Sequence, residues 1–257
     1  MCLLGLLLPL ATQAAISLGG TRLVFDGRYS EASLDVQNRS GEEVLLQAWL
    51  SEATESDTPS SDLPFVVTPP LSVLAPKSKQ GLRLLYEGRG MPAGQESLLH
   101  LYVMQVPRQT AGEGLLNIAI RQRINVFFRP PGLPGDPALT PETLRWALTR
   151  DSAVAPQLQV DNPTAFHAAL LDITLQESRQ SSRLLSDYVL LPPGGRRVFS
   201  SELLDNLPCG VQPILRFKAL TDYGGQRLYS APLKTGEAFT ATLSAESSSA
   251  QRTLNHE

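Results

Sequence analysis

Residues 115–128 read LLNIAIRQRINVFF, a run that is long for a single β-strand. Leu116, Ile118 and Ile120 occupy every second position, so an extended backbone places their side chains on one face. This alternation leaves two interpretations open. The three side chains either pack in the core of their own domain, or they form an exposed strand that another protein can bind.

Shorter strand-like segments recur on both sides of this run, separated by turn material such as Gly88-Arg89-Gly90. The predicted strands before it are residues 33–37, 44–50, 81–86 and 98–106. Those after it are residues 144–148, 157–160, 168–175, 196–199, 214–220 and 226–229. Many short strands joined by turns rich in Gly, Pro and Ser predict an all-β protein built from antiparallel sandwiches.

A proline-rich segment divides these strands into two groups, because residues 129–137 contain four prolines. Proline interrupts a central strand and stiffens a linker. The predicted organisation has five parts: a signal peptide (1–14), a first sandwich domain (15–130), a hinge (131–137), a second sandwich domain (138–243) and a disordered tail (244–257).

The N-terminus predicts secretion, because residues 3–11 are largely apolar and small residues follow them. Cleavage after Ala14 leaves 243 residues (257 − 14). The alternative, a buried first strand, is less favoured because Leu-rich runs without β-branched residues form strands poorly. Cys2 is lost with the leader and Cys209 is then the only thiol, so we expect each domain to be held by its core without an internal disulfide.

Composition argues against several classes of function. Lys and Arg total 22 against 25 Asp and Glu, and aromatic residues are only 6%, which does not suit a nucleic-acid-binding surface. Three His and two Cys are few for a metal site. The sequence has no nucleophile-elbow, zinc-protease or phosphate-loop motif, so we expect no catalytic residues, cofactor, metal or small-molecule substrate. His100, between two leucines, is expected to be structural.

The combination of motifs resembles the periplasmic chaperones of the chaperone–usher pathway, the PapD-like family, over residues 16–243. The matching segments are TRLVF (21–25), VQN (36–38), QAW (47–49), PFVVTPP (64–70), QGLR (80–83), ES (96–97), RINVFFRP (123–130) and DYGG (222–225). The resemblance implies two immunoglobulin-like β-sandwich domains in an L-shaped arrangement.

The resemblance also implies a function without a cofactor. Such chaperones bind pilin (fimbrial) subunits by inserting a strand into the groove of an incomplete subunit fold, and deliver them to an outer-membrane usher. Leu116, Ile118 and Ile120 match the donor positions, and their burial would contribute roughly 4 to 9 kcal/mol before ordering costs. The short loop before this strand resembles the short-loop subfamily. Whether the chain self-caps as a dimer without a subunit stays open.

Family members anchor the C-terminal carboxylate of the subunit with an Arg and a Lys. Arg22 matches the Arg, and its guanidinium suits bidentate binding of a carboxylate. The Lys position holds Asn125, whose amide can donate a hydrogen bond but carries no charge. Arg123, two residues away on the same face, is a candidate substitute, or else a solvent-facing charge.

Glu96, Arg129 and Asp222 match an ionic cluster that the family places between its two domains. Such a cluster is expected to set an angle more than to add stability, because buried ion pairs roughly break even against their desolvation. The alternative for each residue alone is an exposed surface charge.

Two other classes of function compete with the chaperone interpretation. A secreted adhesion or binding protein with two immunoglobulin-like modules would not need the alternating triplet, Arg22 and the charged cluster to coincide. A β-sandwich hydrolase would need a carboxylate pair or a metal cluster in one cleft.

Overall fold

The computed structural model describes residues 16–53, 58–60, 62–108, 118–151, 154–177, 181–205, 207 and 212–244. The chain divides into two compact units. The first contains the described residues up to Phe25, together with Tyr29–Gly90 and Leu98–Val126. The second contains Asp26–Arg28, Met91–Ser97 and the described residues from Phe127 onwards.

Two sheets carry the first half of the chain. Its strands are β1 (Ile16–Leu18), β2 (Arg22–Asp26), β3 (Glu31–Asn38), β4 (Val44–Glu52), β5 (Phe65–Thr68), β6 (Leu71–Leu74), β7 (Lys79–Tyr86), β8 (Ser97–Pro107) and β9 (Ile120–Arg129). One sheet has the order β1-β3-β7-β5, and the other has the order β2-β9-β8-β4-β6. Alternate residues of β3 and β4 are buried, so these strands line a core between the sheets.

The second half of the chain repeats the two-sheet arrangement. Its strands are β10 (Arg145–Asp151), β11 (Val154–Asp161), β12 (Ala168–Gln176), β13 (Ser182–Leu191), β14 (Arg196–Ser200), β15 (Ile214–Leu220), β16 (Gln226–Pro232) and β17 (Thr242–Leu243). The sheets have the orders β10-β11-β14 and β13-β12-β15-β16-β17. Trp146, Phe217 and Tyr229 are fully buried and pack ring against ring in this core.

The helical segments of the described residues are short, and all three lie in the second half of the chain. They are a 3-10 turn (Pro137–Leu139), α1 (Thr140–Thr143) and α2 (Glu202–Asp205). Among the described residues, no helix is long and apolar enough to cross a membrane.

The all-β prediction is confirmed, and the predicted strands coincide with observed ones to within a few residues at their ends. The strand predicted over 115–128 begins at Ile120 in the structure, and residues 109–117 lie outside the described part. Strands β1, β2, β5, β6, β13 and β17 were not among the predicted strands. β13 pairs with β12 through a register shift between Ile173 and Thr174, which breaks the regular alternation that sequence reasoning depends on. Cys209 and the tail from 245 onwards also lie outside the described residues.

Each of the two sandwiches has its own buried asparagine, which closes the turn after one strand. Asn38 ends β3, and its Nδ2 donates to the main-chain carbonyls of Glu42 (2.8 Å), Leu74 (3.1 Å) and Ala75 (3.1 Å). Asn162 follows β11, and its Nδ2 donates to those of Phe166 (2.7 Å), Leu191 (3.4 Å) and Pro192 (3.0 Å). In each case Oδ1 accepts bonds from the residue two positions later, Ser40 or Thr164. One amide therefore satisfies several buried main-chain groups in each unit.

We expect Asn38→Ala and Asn162→Ala each to lower the free energy of unfolding by about 2 to 4 kcal/mol, because each leaves buried carbonyls without donors. Urea unfolding followed by tryptophan fluorescence measures the loss. Asp35→Ala, at an exposed position of β3, is the matched control and should change stability by less than about 0.5 kcal/mol. A loss no larger than the control's would contradict the assigned role.

Candidate functional site

One face of β9 changes from exposed to buried along its length. Ile118, two residues before the strand, is 58% exposed, and Ile120, its first residue, is 38% exposed. Ile124, Val126 and Phe128 lie further along the same face and are buried in the core. Ile118 and Ile120 therefore do not fill the core of their own unit, which was one of the two interpretations open from the sequence. Leu116 lies outside the described residues.

One edge of β9 is only partly covered by its neighbour β2. The main-chain N–H of Gly27, just after β2, donates to the carbonyl of Arg129, the last residue of β9, at 2.8 Å. Both strands therefore end side by side and run in the same direction. β2 has five residues and β9 has ten, so β2 begins beside the middle of β9. Among the described strands, none continues this pairing beside Ile118 and Ile120.

A pocket of about 670 Å³ opens where β2 begins. It is lined by residues 16–21, Arg39 and residues 122–124. The side-chain amide of Gln122 donates to the carbonyl of Ile16 at 3.3 Å, which ties β9 to β1 across this pocket. The open space therefore adjoins the uncovered edge of β9.

The three residues of the predicted carboxylate anchor lie on these neighbouring strands. Counting back from the bond between Gly27 and Arg129 places Arg22 near the level of Asn125, and both side chains are half-buried. Arg123 is exposed. Burial lowers the pKa of His100 on β8, and the nearby charge of Arg123 lowers it further. Arg123 therefore lies close enough to His100 for its charge to oppose protonation of the imidazole. His100 is buried, as expected for a structural histidine.

Glu96, Arg129 and Asp222 come together in the second unit. The guanidinium of Arg129 donates to Oε2 of Glu96 from Nε (2.9 Å) and Nη2 (2.7 Å), and to Asp222 from Nη1 (2.8 Å) and Nη2 (3.1 Å). The side chain of Glu96 is 2% exposed, that of Arg129 19% and that of Asp222 38%. Burial opposes the charged form of Arg129, but its bonds to Asp222 and Glu96 outweigh this and raise its pKa.

Sequence reasoning missed the fourth side chain of this cluster. His167 is 7% exposed, and its Nδ1 lies 2.9 Å from Oε1 of Glu96. The main-chain N–H of His167 donates to the same oxygen at 3.0 Å. A histidine far from other His or Cys residues in the sequence carries no signal of this contact, because its partner is 71 residues away.

Sequence reasoning also missed an exposed apolar surface on β4 and β6. Leu45, Leu71 and Val73 are all exposed, and Leu45 pairs directly with Val73. On its other side Leu45 pairs with Val106 of β8. These residues are called the β4–β6 surface below. Within the part of the chain that the structure describes, no group of three or more His, Cys, Asp or Glu side chains could hold a metal ion.

Two family models match the chain. The model described as pili and flagellar-assembly chaperone, PapD N-terminal domain, matches residues 15–134. The model described as pili assembly chaperone PapD, C-terminal domain, matches residues 139–231. The chain belongs to this family of pilus-assembly chaperones.

Curated relatives and solved structures agree with this assignment. The probable fimbrial chaperone LpfB of Escherichia coli O157:H7 is 34% identical over 215 residues, which cover 81% of this chaperone and 84% of LpfB. The crystal structure of the CupB2 chaperone of Pseudomonas aeruginosa matches with a TM-score of 0.70 and 26% identity, over 85% of this chain and all of CupB2. A structure of the Salmonella enterica SafA pilin with the SafB chaperone matches with a TM-score of 0.67 and 25% identity, over 87% of this chain and 99% of the matched chain. The predicted family and the immunoglobulin-like fold are confirmed.

We expect Glu96→Gln to destabilise this chaperone by about 3 kcal/mol, because it leaves the Arg129 guanidinium without its buried charged partner. Asp222→Asn should cost about 0.2 to 1 kcal/mol, since Asp222 is more exposed and its attraction is screened by water. Urea unfolding of both variants measures the difference. Equal losses for the two variants would show that burial does not determine which of the two contacts contributes more to stability.

Proposed function

We propose that this chaperone binds pilin subunits in the periplasm by lending them the exposed part of β9. The observation that carries the proposal is the exposure of Ile118 and Ile120 at a strand edge that β2 leaves uncovered. A long strand with exposed aliphatic side chains is an aggregation hazard unless a partner strand covers it. A subunit that lacks a strand is such a partner.

Two kinds of interaction support binding at this edge. The backbone groups of β9 beside Ile118 and Ile120 can pair with a subunit strand, and the alternate side chains can fill pockets of the subunit. Leu116 is proposed as the third donor side chain. Fully burying one such side chain contributes about 1.5 to 3 kcal/mol, part of which is lost to ordering on association. The matched complex of the SafA pilin with the SafB chaperone supports a pilin as the partner.

Arg22 is proposed to bind the C-terminal carboxylate of the subunit, with Asn125 beside it. Arg22 begins β2, at the point where the pairing with β9 stops, so a bound subunit strand would end near its guanidinium. Asn125 donates without charge, and Arg123 is the candidate for the missing positive charge. A guanidinium binds a carboxylate through two parallel hydrogen bonds, which fixes the register of the bound strand.

The proposal includes no catalytic step and no cofactor, because backbone pairing and apolar burial carry the binding. A secreted adhesion module with the same fold is not favoured by the family assignment. The apolar segment at residues 3–11 is proposed to act as a signal peptide that directs the chain to the periplasm. The ionic cluster of Glu96, Arg129 and Asp222 is proposed to hold the end of β9 at Arg129, which is called the base of β9 below.

Delivery to an outer-membrane usher needs a surface that a captured subunit leaves accessible. We propose the β4–β6 surface for this step, because it is apolar and lies on β4 and β6, at the far edge of the sheet from β9. Val73→Asp should leave subunit capture unchanged and abolish piliation of cells that depend on this chaperone. Normal piliation with this variant would refute the assignment.

We expect Ile118→Asp with Ile120→Asp to reduce co-purification of a coexpressed pilin subunit at least a hundredfold, because each carboxylate would have to be buried in an apolar groove. Pull-down followed by quantitative immunoblotting measures the loss.

Val66→Asp is the matched control, since Val66 is 55% exposed on β5 of the other sheet. It should retain capture. Capture that survives the double substitution would contradict the proposed mechanism.

Analytical ultracentrifugation of the same variants without subunit tests self-capping, in which a second copy of the chain covers β9. A dimer of the wild type that the double substitution dissociates would support it, and a monomeric wild type would rule it out.

Arg22→Ala should speed dissociation of a captured subunit about tenfold or more, because it removes a charged hydrogen-bonding partner of the subunit carboxylate. Asn125→Lys should slow dissociation, since it adds the charge that the family position otherwise carries. Surface plasmon resonance of purified complexes measures both rates. If a subunit whose C-terminus is amidated responds to Arg22→Ala as strongly as the native one, Arg22 does not bind the carboxylate.

A further inference from the structure

The carboxylate of Glu96 is shared between two groups on opposite sides. Oε2 accepts both bonds from Arg129, at 2.7 and 2.9 Å. Oε1 accepts both contacts from His167, from Nδ1 at 2.9 Å and from the main-chain N–H at 3.0 Å. Because a carboxylate only accepts, Nδ1 of His167 is assigned as the donor in this contact. Both oxygens of the Glu96 carboxylate are therefore held, which fixes the orientation of its plane.

The segment around His167 contacts the beginning of β8 and the end of β9. The main-chain N–H of Glu96, the residue before β8, donates to the carbonyl of Ala165 at 2.8 Å. The Arg129 guanidinium lies over the ring of Phe166, 5.2 Å from its centroid. The ring of His167 lies 5.4 Å from that of Phe127 on β9. Three successive residues thus contact both strand ends.

Arg129 is the last residue of β9, whose first residue is Ile120, and Ile118 lies two residues before that end. Any freedom of the Glu96 carboxylate to rotate would let the Arg129 side chain move, and with it the base of this strand. His167 removes that freedom, because the Nδ1 contact and the main-chain bond converge on one oxygen. A strand fixed at its base loses less conformational entropy when its free end binds a partner.

We propose that His167 is a positioning residue for the donor strand, which acts by orienting Glu96 towards Arg129. This inference rests on the proposed function, since it takes β9 to be the strand that the subunit binds. The role requires a hydrogen-bond donor at the place of Nδ1, and the packing of the ring alone does not supply it. An asparagine can place an amide N–H near that position, whereas phenylalanine keeps the ring and has no donor.

The test compares His167→Asn, which keeps a donor, with His167→Phe, which keeps the packing against Phe127. In the full chain without subunit, His167→Phe should raise the unfolding constant about tenfold or more, because a buried charged acceptor loses its partner. His167→Asn should stay within about threefold of wild type. In a Glu96→Gln background the two variants should differ from each other by less than about twofold, since the oriented charge is already absent.

The same variants are then measured with a captured pilin subunit. His167→Phe should speed dissociation several-fold and His167→Asn should not. If His167→Phe acts equally in the Glu96→Gln background, or if His167→Asn is as damaging as His167→Phe, the residue only fills space and the inference is overturned. Failure of the wild-type chain to capture any subunit would refute the proposed function instead. The unfolding comparison without subunit would still decide whether His167 orients Glu96.

Discussion

A β-strand presents backbone hydrogen-bonding groups along both edges, and those along one edge of β9 are only partly paired with a described strand. β8 lies along one side, while β2 is half as long and accompanies only the end of β9 that lies in the core. This incomplete pairing divides β9 into two parts. The buried half of β9 is apolar on the face that meets the core, and the exposed half carries aliphatic side chains that no described part of the chain covers.

The two ends of β9 have different physical roles. At the core end, Arg129 is held by Glu96 and Asp222, and His167 holds Glu96 in turn. Cation and carboxylate are poorly solvated there, so their mutual contacts replace water and fix geometry rather than add much stability. At the other end, Ile118 and Ile120 are exposed, and a partner that covered them would remove apolar surface from water. In the proposed mechanism, the contacts of Arg129 hold one end of β9 while the apolar residues near the other end pair with the subunit.

The sequence predicted the all-β class and the family, because alternation, turn residues and motif order can be recognised in the sequence without a structure. It also predicted an ionic cluster of Glu96, Arg129 and Asp222, and the structure brings these side chains into contact. The alternation at Ile118 and Ile120 left burial undecided, since spacing fixes a face but does not say what lies opposite. His167 and the β4–β6 surface were missed because each depends on pairing between residues distant in the chain. The missed strand β13 shows the same limit, since its register shift removes the period that sequence reasoning uses.

The central claim is that a pilin subunit pairs with the backbone of β9 beside Ile118 and Ile120. Amide hydrogen exchange of the chaperone, measured with and without a captured subunit, tests it most directly because it reports new backbone hydrogen bonds at named residues. We expect slowed exchange at residues 118–123 on binding, with little change at Val126 and Phe128, which are already buried in the core. Unchanged exchange at residues 118–123 in a stable complex, with new protection elsewhere, would contradict it.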